Sequence, residues 1–206
     1  MKVLNLFVAL ATLALPSNFS EVNNSLEWTL RKDKEGIQIY TREAPNTSIK
    51  EIKTVLTINT SVDKITSAII DVKNYSNWMD NIINPKILKK ISDKEYFLYY
   101  EIEAPWPTEN RDIINHTTIS YTAKNHTTIV MATASPNYID KNENAVRIEL
   151  SEGSWNLKQL SHDRVEVTHQ LLASPGGSIP EWVINMFIVN HPFETHRNLR
   201  EMLESH

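Results

Sequence analysis

The sequence predicts an α+β fold in which an antiparallel sheet is followed by one long C-terminal helix. Short β-rich runs separated by polar turns fill most of residues 86–172, which is typical of antiparallel strands. Two other stretches have helical spacing, because apolar residues recur every three or four positions after Ser61 and again from Trp182 to Leu203. A chain of 206 residues suits one domain with a sizeable core.

The composition is that of an ordinary globular protein. Hydrophobic residues make up 41% and charged residues 22%, which excludes a collagen-like or largely disordered chain. Cysteine is absent, so disulfides, thiolate metal ligands and thiol nucleophiles are excluded. The formal net charge is −4 and the basic residues are not clustered, so we expect no nucleic-acid partner.

Residues 1–20 are interpreted as a signal peptide. Lys2 precedes an apolar run from Val3 to Leu15, which is shorter than the roughly 20 residues of a membrane span and ends at Pro16. We therefore expect an exported protein, periplasmic or secreted, whose single domain covers residues 21–206. The alternative is a cytosolic protein with an apolar first helix.

The first elements of the domain are strands. Residues 28–30 and 37–42 flank a turn at residues 33–36, and residues 49–59 follow as a longer β-branched run. Ser61 can cap a helix that continues toward Trp78. Seven further strands are predicted, as in an antiparallel meander, at residues 86–91, 95–103, 111–121, 127–134, 145–150, 154–160 and 165–172.

The last element is predicted to be a helix that starts at a capping box. Ser178 and Glu181 form the box, Pro180 suits the first turn, and Pro192 should kink the helix. A curved sheet that wraps around such a helix cannot fill its own centre completely. This architecture therefore tends to enclose an apolar pocket.

Four local motifs occur in a fixed order along the chain. They are Asp71-Val72-Lys73-Asn74-Tyr75-Ser76-Asn77-Trp78, Pro105-Trp106-Pro107-Thr108-Glu109-Asn110-Arg111-Asp112, Glu152-Gly153-Ser154-Trp155, and Ser174-Pro175-Gly176-Gly177-Ser178-Ile179-Pro180-Glu181-Trp182. Together they resemble the START family of lipid-transfer domains over residues 26–204. The resemblance implies a helix-grip fold, with a curved antiparallel sheet around the C-terminal helix and a hydrophobic tunnel that holds one lipid or sterol.

Arg111 is the first candidate for a ligand-orienting residue. It begins a strand in which Ile113, Thr117 and Ile119 alternate with other residues, so a strand face that points inward would bury its guanidinium group and require a partner. Members of the family often pair an arginine at this place with a carboxylate, which makes Glu101 or Glu103 the expected partner here. Such a pair could orient the polar head of a ligand, or it could only join two strands.

Several further side chains are candidates for the pocket lining, each with a core-packing alternative. Pro105 and Pro107 restrict the loop that carries Trp106, which we expect at the mouth of the pocket or in the core. His169 is a cavity candidate, whereas His116 should lie on the strand face opposite Arg111. The remaining candidates are aromatic or flexible apolar side chains: Tyr99, Trp78, Met186 and Phe187.

The sequence shows no Gly-x-Ser-x-Gly nucleophile turn, no phosphate-binding glycine loop and no pair of histidines at metal-binding spacing. We therefore expect a non-catalytic, monomeric protein without metal or cofactor, which binds a lipid, sterol or similar hydrophobic molecule for transport or sensing. Transient contact with a membrane is expected during exchange of the ligand. The alternatives are an enzyme like the polyketide cyclases and aromatases, and a secreted interaction protein with a filled pocket.

Overall fold

A computed structural model describes residues 27–45, 49–123, 126–177, 179–180, 183–184 and 186–205, with the backbone alone for Met186. The predicted signal peptide and the capping box with Trp182 lie outside the described residues, so both stay predictions. The described strands are Thr29–Lys34 (β1), Ile37–Glu43 (β2), Lys50–Ile58 (β3), Ile82–Ser92 (β4), Glu95–Ile102 (β5), Asn110–Thr122 (β6), Thr127–Ala134 (β7), Ala145–Arg147 (β8), Leu150–Ser161 (β9) and Arg164–Ser174 (β10).

In the described part of the chain the strands form one curved sheet in the order β1-β2-β3-β10-β9-β7-β6-β5-β4. All neighbours in this order are antiparallel, as predicted, and β8 pairs in parallel with β6. The predicted strand at residues 145–150 is wrong in its extent. It divides into β8, which ends at Arg147, and the start of β9 at Leu150, and the Ile148 N–H makes the last contact with β6, to the Asp112 carbonyl at 2.9 Å.

The two-residue turn between β1 and β2 explains why this hairpin is tight. Glu35 and Gly36 both have positive φ, 54° and 72°, which is the conformation that joins two antiparallel strands without splaying them. Gly36 adopts it without the steric cost that a side chain would incur. The turn predicted at residues 33–36 is confirmed.

The helices cover the concave face of the sheet. Helix α1 spans Val62–Ile70 and begins at the Ser61 cap, whose hydroxyl accepts from the Lys64 N–H at 3.3 Å. A 3₁₀ helix, Val72–Asn77, follows directly. At the C-terminal end a π-helical turn, Met186–Asn190, changes to helix α2, His191–Glu204, which has Pro192 in its first turn. The predicted kink at Pro192 stays a prediction.

The core lies between the concave face and these helices. Strand alternation places one set of side chains from each strand in this layer, and α2 packs against β2 and β3. Its largest fully buried members include Phe193 and Leu199 of α2 and Leu157 of β9. Burial of this apolar set provides most of the folding free energy at about 25 cal/mol per Å².

Candidate functional site

The concave face has a tightly packed half and an accessible half, and strand β10 crosses both. Val165 and Val167 point inward and are completely buried, at 0% exposure. The next inward-facing side chains on the same strand, His169, Leu171 and Ala173, are only half-buried. Because β10 is an interior strand of the sheet, this gradient indicates open space above its C-terminal half.

The walls of the accessible half are built from small residues. Ala132 of β7 faces Gly153 of β9, and Ala134 lies two residues farther along the same face. Both alanines are half-buried. Methyl groups and a bare glycine project little from the sheet, so among the described residues this part of the concave face is lined by short side chains.

A pair of histidines marks the boundary between the two halves. His169 Nδ1 lies 3.2 Å from His196 Nε2 of α2, and His196 Nδ1 lies 2.6 Å from the Pro192 carbonyl oxygen. The His169 ring stacks on Trp155 with centroids 3.9 Å apart. Burial, and secondarily the neighbouring His196, holds the pKa of His169 well below its ordinary value. Burial lowers the pKa of His196 to about 4, so both rings are neutral at pH 7.

Two other polar groups on the concave face have incomplete hydrogen bonding. The Asn115 side-chain amide donates to the Tyr100 hydroxyl at 3.2 Å, but Asn115 Oδ1 is buried without a partner. The Thr54 hydroxyl, which lies directly opposite His169 in the β3–β10 ladder, also has no partner. Unsatisfied buried polar atoms are costly and rare in folded proteins. These two are therefore positions where a ligand or a water molecule can restore a missing bond.

Arg111 points inward as predicted, but its predicted carboxylate partner is wrong. The guanidinium donates to the main-chain carbonyls of Pro175 at 3.3 Å and Gly176 at 3.2 Å, and to the carbonyl of Glu109. Positive φ angles at Gly176 and Gly177, 65° and 64°, shape the loop around it. Burial lowers the pKa of Arg111. Arg111 thus fastens the loop that precedes the C-terminal helical segment.

Strand register explains why neither predicted glutamate reaches Arg111. Arg111 is paired with Ile102 in the β5–β6 ladder, so it shares a face with Ile102, whereas Glu101 is paired with Asp112 on the outer face. Glu103 has the same alternation as Glu101 and is exposed. Both predictions of a cavity-facing carboxylate are therefore incorrect for the described residues.

The same alternation places Tyr99 on the outer face of the sheet, so the prediction that it lines the pocket is wrong. Its hydroxyl donates to Glu101 Oε1 at 2.8 Å on the outer face, and this carboxylate also accepts from Asn84 and Asn142 at 3.0 and 3.2 Å. Burial and the bond to Glu101 raise the pKa of Tyr99. The aromatic side chains that face inward on β5 are Tyr96 and Tyr100, and burial raises the pKa of Tyr100 to about 12.

The outer face holds an ion pair that the sequence analysis missed. Arg147 Nε and Nη2 donate to the two carboxylate oxygens of Asp112 at 2.9 and 2.8 Å, and both side chains are almost fully buried. Arg147 also donates to the carbonyls of Ile139 and Asp140 at 3.3 and 3.1 Å. The only sequence signal was a charged residue beside apolar neighbours in each strand. The pair fixes the loop after β7 and is structural, since it lies away from the concave face.

The other predicted lining residues have different locations. Trp78 is 2% exposed and packs edge-on against Trp155, with ring centroids 6.2 Å apart, inside the core. Trp106 is 89% exposed, so the prediction of a core plug is wrong. Phe187 is half-buried and contacts the His191 ring edge-on. The side chain of Met186 lies outside the described residues.

An open cleft of about 590 Å³ lies beside the loop that Arg111 fastens. Its apolar wall includes Ile49, Val146 and Leu150, and its floor includes Gly176 and Gly177. In the β6–β8 pairing Val146 is the partner of Arg111, so the cleft adjoins the Arg111 end of the concave face. Within the described residues no cluster of three metal-ligating side chains is present, and no helix is long and apolar enough to cross a membrane.

A sequence profile of the START domain matches residues 22–206. The chain belongs to the START domain family. This START domain is 32% identical over 195 residues to protein PA1579 of Pseudomonas aeruginosa, which covers 94% of this chain and 96% of that protein. It is 23% identical over 170 residues to the mouse phosphatidylcholine transfer protein, which covers 77% of this chain and 75% of that protein.

Solved structures support the same fold. The STAR-related lipid transfer protein from Xanthomonas axonopodis superposes on this START domain with a TM-score of 0.78 and 34% identity, covering 86% of this chain and 98% of that chain. Human StAR-related lipid transfer protein 5 has a TM-score of 0.77 at 12% identity, with 88% of each chain covered. The predicted helix-grip fold is confirmed: a curved antiparallel sheet with a C-terminal helix.

Proposed function

We propose that this START domain binds one hydrophobic small molecule, of the lipid or sterol class, between the concave face and the C-terminal helical segment. The observation that carries the proposal is the gradient along β10, from completely buried Val167 to half-buried Leu171 and Ala173. A filled interior would bury all of these inward-facing side chains alike. The proposed role is transport or sensing of the bound molecule.

The chemistry of this region suits an apolar ligand with a small polar group. The walls contribute alanines, a glycine and Leu171, so burial of hydrocarbon provides most of the affinity at about 25 cal/mol per Å² before ordering costs. A few polar groups, among them Asn115 and His169, can fix the orientation of the ligand. The names of the relatives, a phosphatidylcholine transfer protein and a STAR-related lipid transfer protein, support the same class of ligand.

Native mass spectrometry of the purified chain, followed by organic extraction, tests this proposal. We expect one apolar molecule per chain, either copurified or taken up from a mixture of lipids. The extract identifies its class. A chain that keeps its ligand-free mass after incubation with neutral, zwitterionic and sterol lipids would show that the interior is filled.

We also propose that the loop bearing Trp106 touches a membrane when the ligand is exchanged. Trp106 lies between two prolines and is 89% exposed, although an indole ring is more stable at the boundary between lipid and water. The flanking Glu103 and Glu109 are exposed acids. They disfavour an anionic surface, so the proposed target is a zwitterionic one.

Flotation with phosphatidylcholine vesicles measures this contact. We expect Trp106→Ala to bind the vesicles about tenfold more weakly than the unmodified chain, because an indole of this size contributes on the order of 1.5 kcal/mol when it leaves water. Tyr121→Ala is the matched control, since Tyr121 is another exposed aromatic residue, at 60%. Equal loss in both variants, or none in either, would contradict a specific role for Trp106.

A further inference from the structure

The two inward histidines form a directed chain of hydrogen bonds, and within the part of the chain that the structure describes its last acceptor has no partner. The chain begins at the Pro192 carbonyl, which can only accept, so His196 Nδ1 must carry the proton in their 2.6 Å contact. His196 is neutral at pH 7, because burial lowers its pKa to about 4, and its Nε2 is therefore an acceptor. His169 Nδ1 must then donate across the 3.2 Å contact to His196 Nε2.

The same logic fixes the state of His169. Burial holds the pKa of this ring well below its ordinary value, so the ring carries one proton, on Nδ1. Its Nε2 is left with a lone pair and no N–H, and it has no hydrogen-bond partner among the described residues. A 180° turn of the ring would keep its stacking on Trp155 but would break the contact between His169 Nδ1 and His196 Nε2, so this hydrogen bond favours the observed orientation.

His169 lies on the concave face where the completely buried half meets the accessible half. His169 is the first half-buried inward residue of β10 after two completely buried valines. Thr54, directly opposite in the neighbouring strand, is 1% exposed and has a hydroxyl without a partner. Side chains directly opposite in antiparallel strands have Cβ atoms roughly 5 Å apart. Thr54 is therefore the cross-strand neighbour of His169, and its hydroxyl is enclosed in the packed part of this face.

We propose that His169 Nε2 accepts a hydrogen bond from a hydroxyl group of the ligand, and that the ligand is therefore an uncharged apolar alcohol. The inference rests on the proposed function, and it narrows the ligand to lipids whose polar group is a free hydroxyl.

The histidine chain discriminates against other lipid head groups. Phosphodiester and carboxylate oxygens carry no proton at neutral pH, so they would oppose the lone pair of His169 Nε2. A quaternary ammonium group has no N–H to donate. An ester or ether offers acceptors only and leaves His169 Nε2 unpaired. Only a donor that is itself uncharged satisfies this site without burying a charge.

A pair of probes that differ in one hydrogen-bond donor tests the proposal. Pyrenedodecanol and its methyl ether share chain and fluorophore, and fluorescence titration gives both dissociation constants. We expect the unmodified protein to bind the alcohol about tenfold more tightly than the ether. Equal binding of the two would overturn the hydroxyl inference and leave the proposed function intact. Failure of both probes to bind would contradict the proposed function and, with it, this inference.

Two variants assign the preference to His169. His169→Phe keeps an aromatic ring against Trp155 but has no acceptor, so we expect the preference for the alcohol over the ether to fall close to unity. His116→Phe makes the same substitution on the outer face, where His116 stacks on Phe97, and should keep the tenfold preference. A preserved preference in His169→Phe would overturn the assignment.

Nitrogen NMR of the histidine side chains gives a test that needs neither ligand nor variant. We expect the proton on Nδ1 in both His169 and His196 at pH 7, with Nε2 of His169 unprotonated. A proton on His169 Nε2 would overturn the proposal, because that nitrogen could then not accept.

Discussion

At the residue scale, the neutral histidine pair makes stability depend on pH. The unfolded chain protonates a histidine near pH 6.5, whereas folded His196 does so near pH 4. Between these values the unfolded state binds more protons, so the free energy of unfolding falls as the pH drops from 6.5 to 4. Above pH 6.5 both states are neutral at this site and the effect vanishes. His169 acts in the same direction.

We expect His196 alone to reduce the free energy of unfolding by about 3 kcal/mol between pH 7.5 and pH 4. Urea unfolding at the two pH values measures this in the unmodified chain and in His196→Phe, which should lose that part of the dependence. Carboxylates titrate in both proteins, so their contribution cancels in the comparison. His116→Phe should retain the full dependence, and an unchanged dependence in His196→Phe would contradict the assignment.

Which face of a strand a residue lies on can be predicted from the sequence, whereas the residue opposite it in the neighbouring strand cannot. Alternation along β6 correctly placed Arg111 inward and His116 outward. It could not exclude Glu101 as the partner of Arg111, because that depends on which residue of β5 lies opposite, and the length of the intervening loop leaves this register open. Because Arg111 pairs with Ile102, both Glu101 and Glu103 lie on the opposite face and neither can be its partner.

At the element scale, Arg111 controls the loop that leads into the C-terminal helical segment. Its guanidinium holds two successive carbonyls of that loop, those of Pro175 and Gly176. A planar group with five donors can reach several carbonyls, whereas an ammonium group cannot reproduce this geometry. The loop also borders the open cleft, so its release is the expected route by which the ligand moves in and out.

Hydrogen exchange tests this role. In Arg111→Lys we expect backbone amides in residues 174–190 to exchange about tenfold faster, because charge-assisted bonds of roughly 1.5 kcal/mol or more are lost there. Arg200→Lys is the control: Arg200 also donates to a backbone carbonyl, that of Glu35 at 2.7 Å, but at the far end of α2. Exchange in residues 174–190 that matches the unmodified chain would show that Arg111 does not hold the loop.

At the scale of the whole molecule, the fold class could be predicted because it depends on the spacing of apolar residues along the chain. Alternating β runs and two helical spacings predict an antiparallel sheet and a C-terminal helix without any knowledge of strand order. The pairing of β3 with β10 could not be predicted from the sequence, because the two strands are far apart along the chain. The accessible half of the concave face follows from that pairing, because it makes β10 an interior strand.

The same limit applies to the site. His169 could be nominated from its apolar neighbours on β10, but its partner His196 comes from a different element and is fixed only when α2 docks on the sheet. The Asp112–Arg147 pair joins β6 to β8 and was hidden for the same reason. Charges and histidines that pair across elements cannot be matched from spacing along one strand.

A bulky side chain placed in the accessible half of the concave face would show whether the ligand binds there. Ala132→Phe places a large ring inside, whereas Met131→Phe places the same ring on the outer face of the same strand, where Met131 is 40% exposed. Native mass spectrometry after incubation with pyrenedodecanol counts the bound molecules. We expect one ligand in the unmodified chain and in Met131→Phe, and none in folded Ala132→Phe. Full occupancy in Ala132→Phe would contradict this expectation.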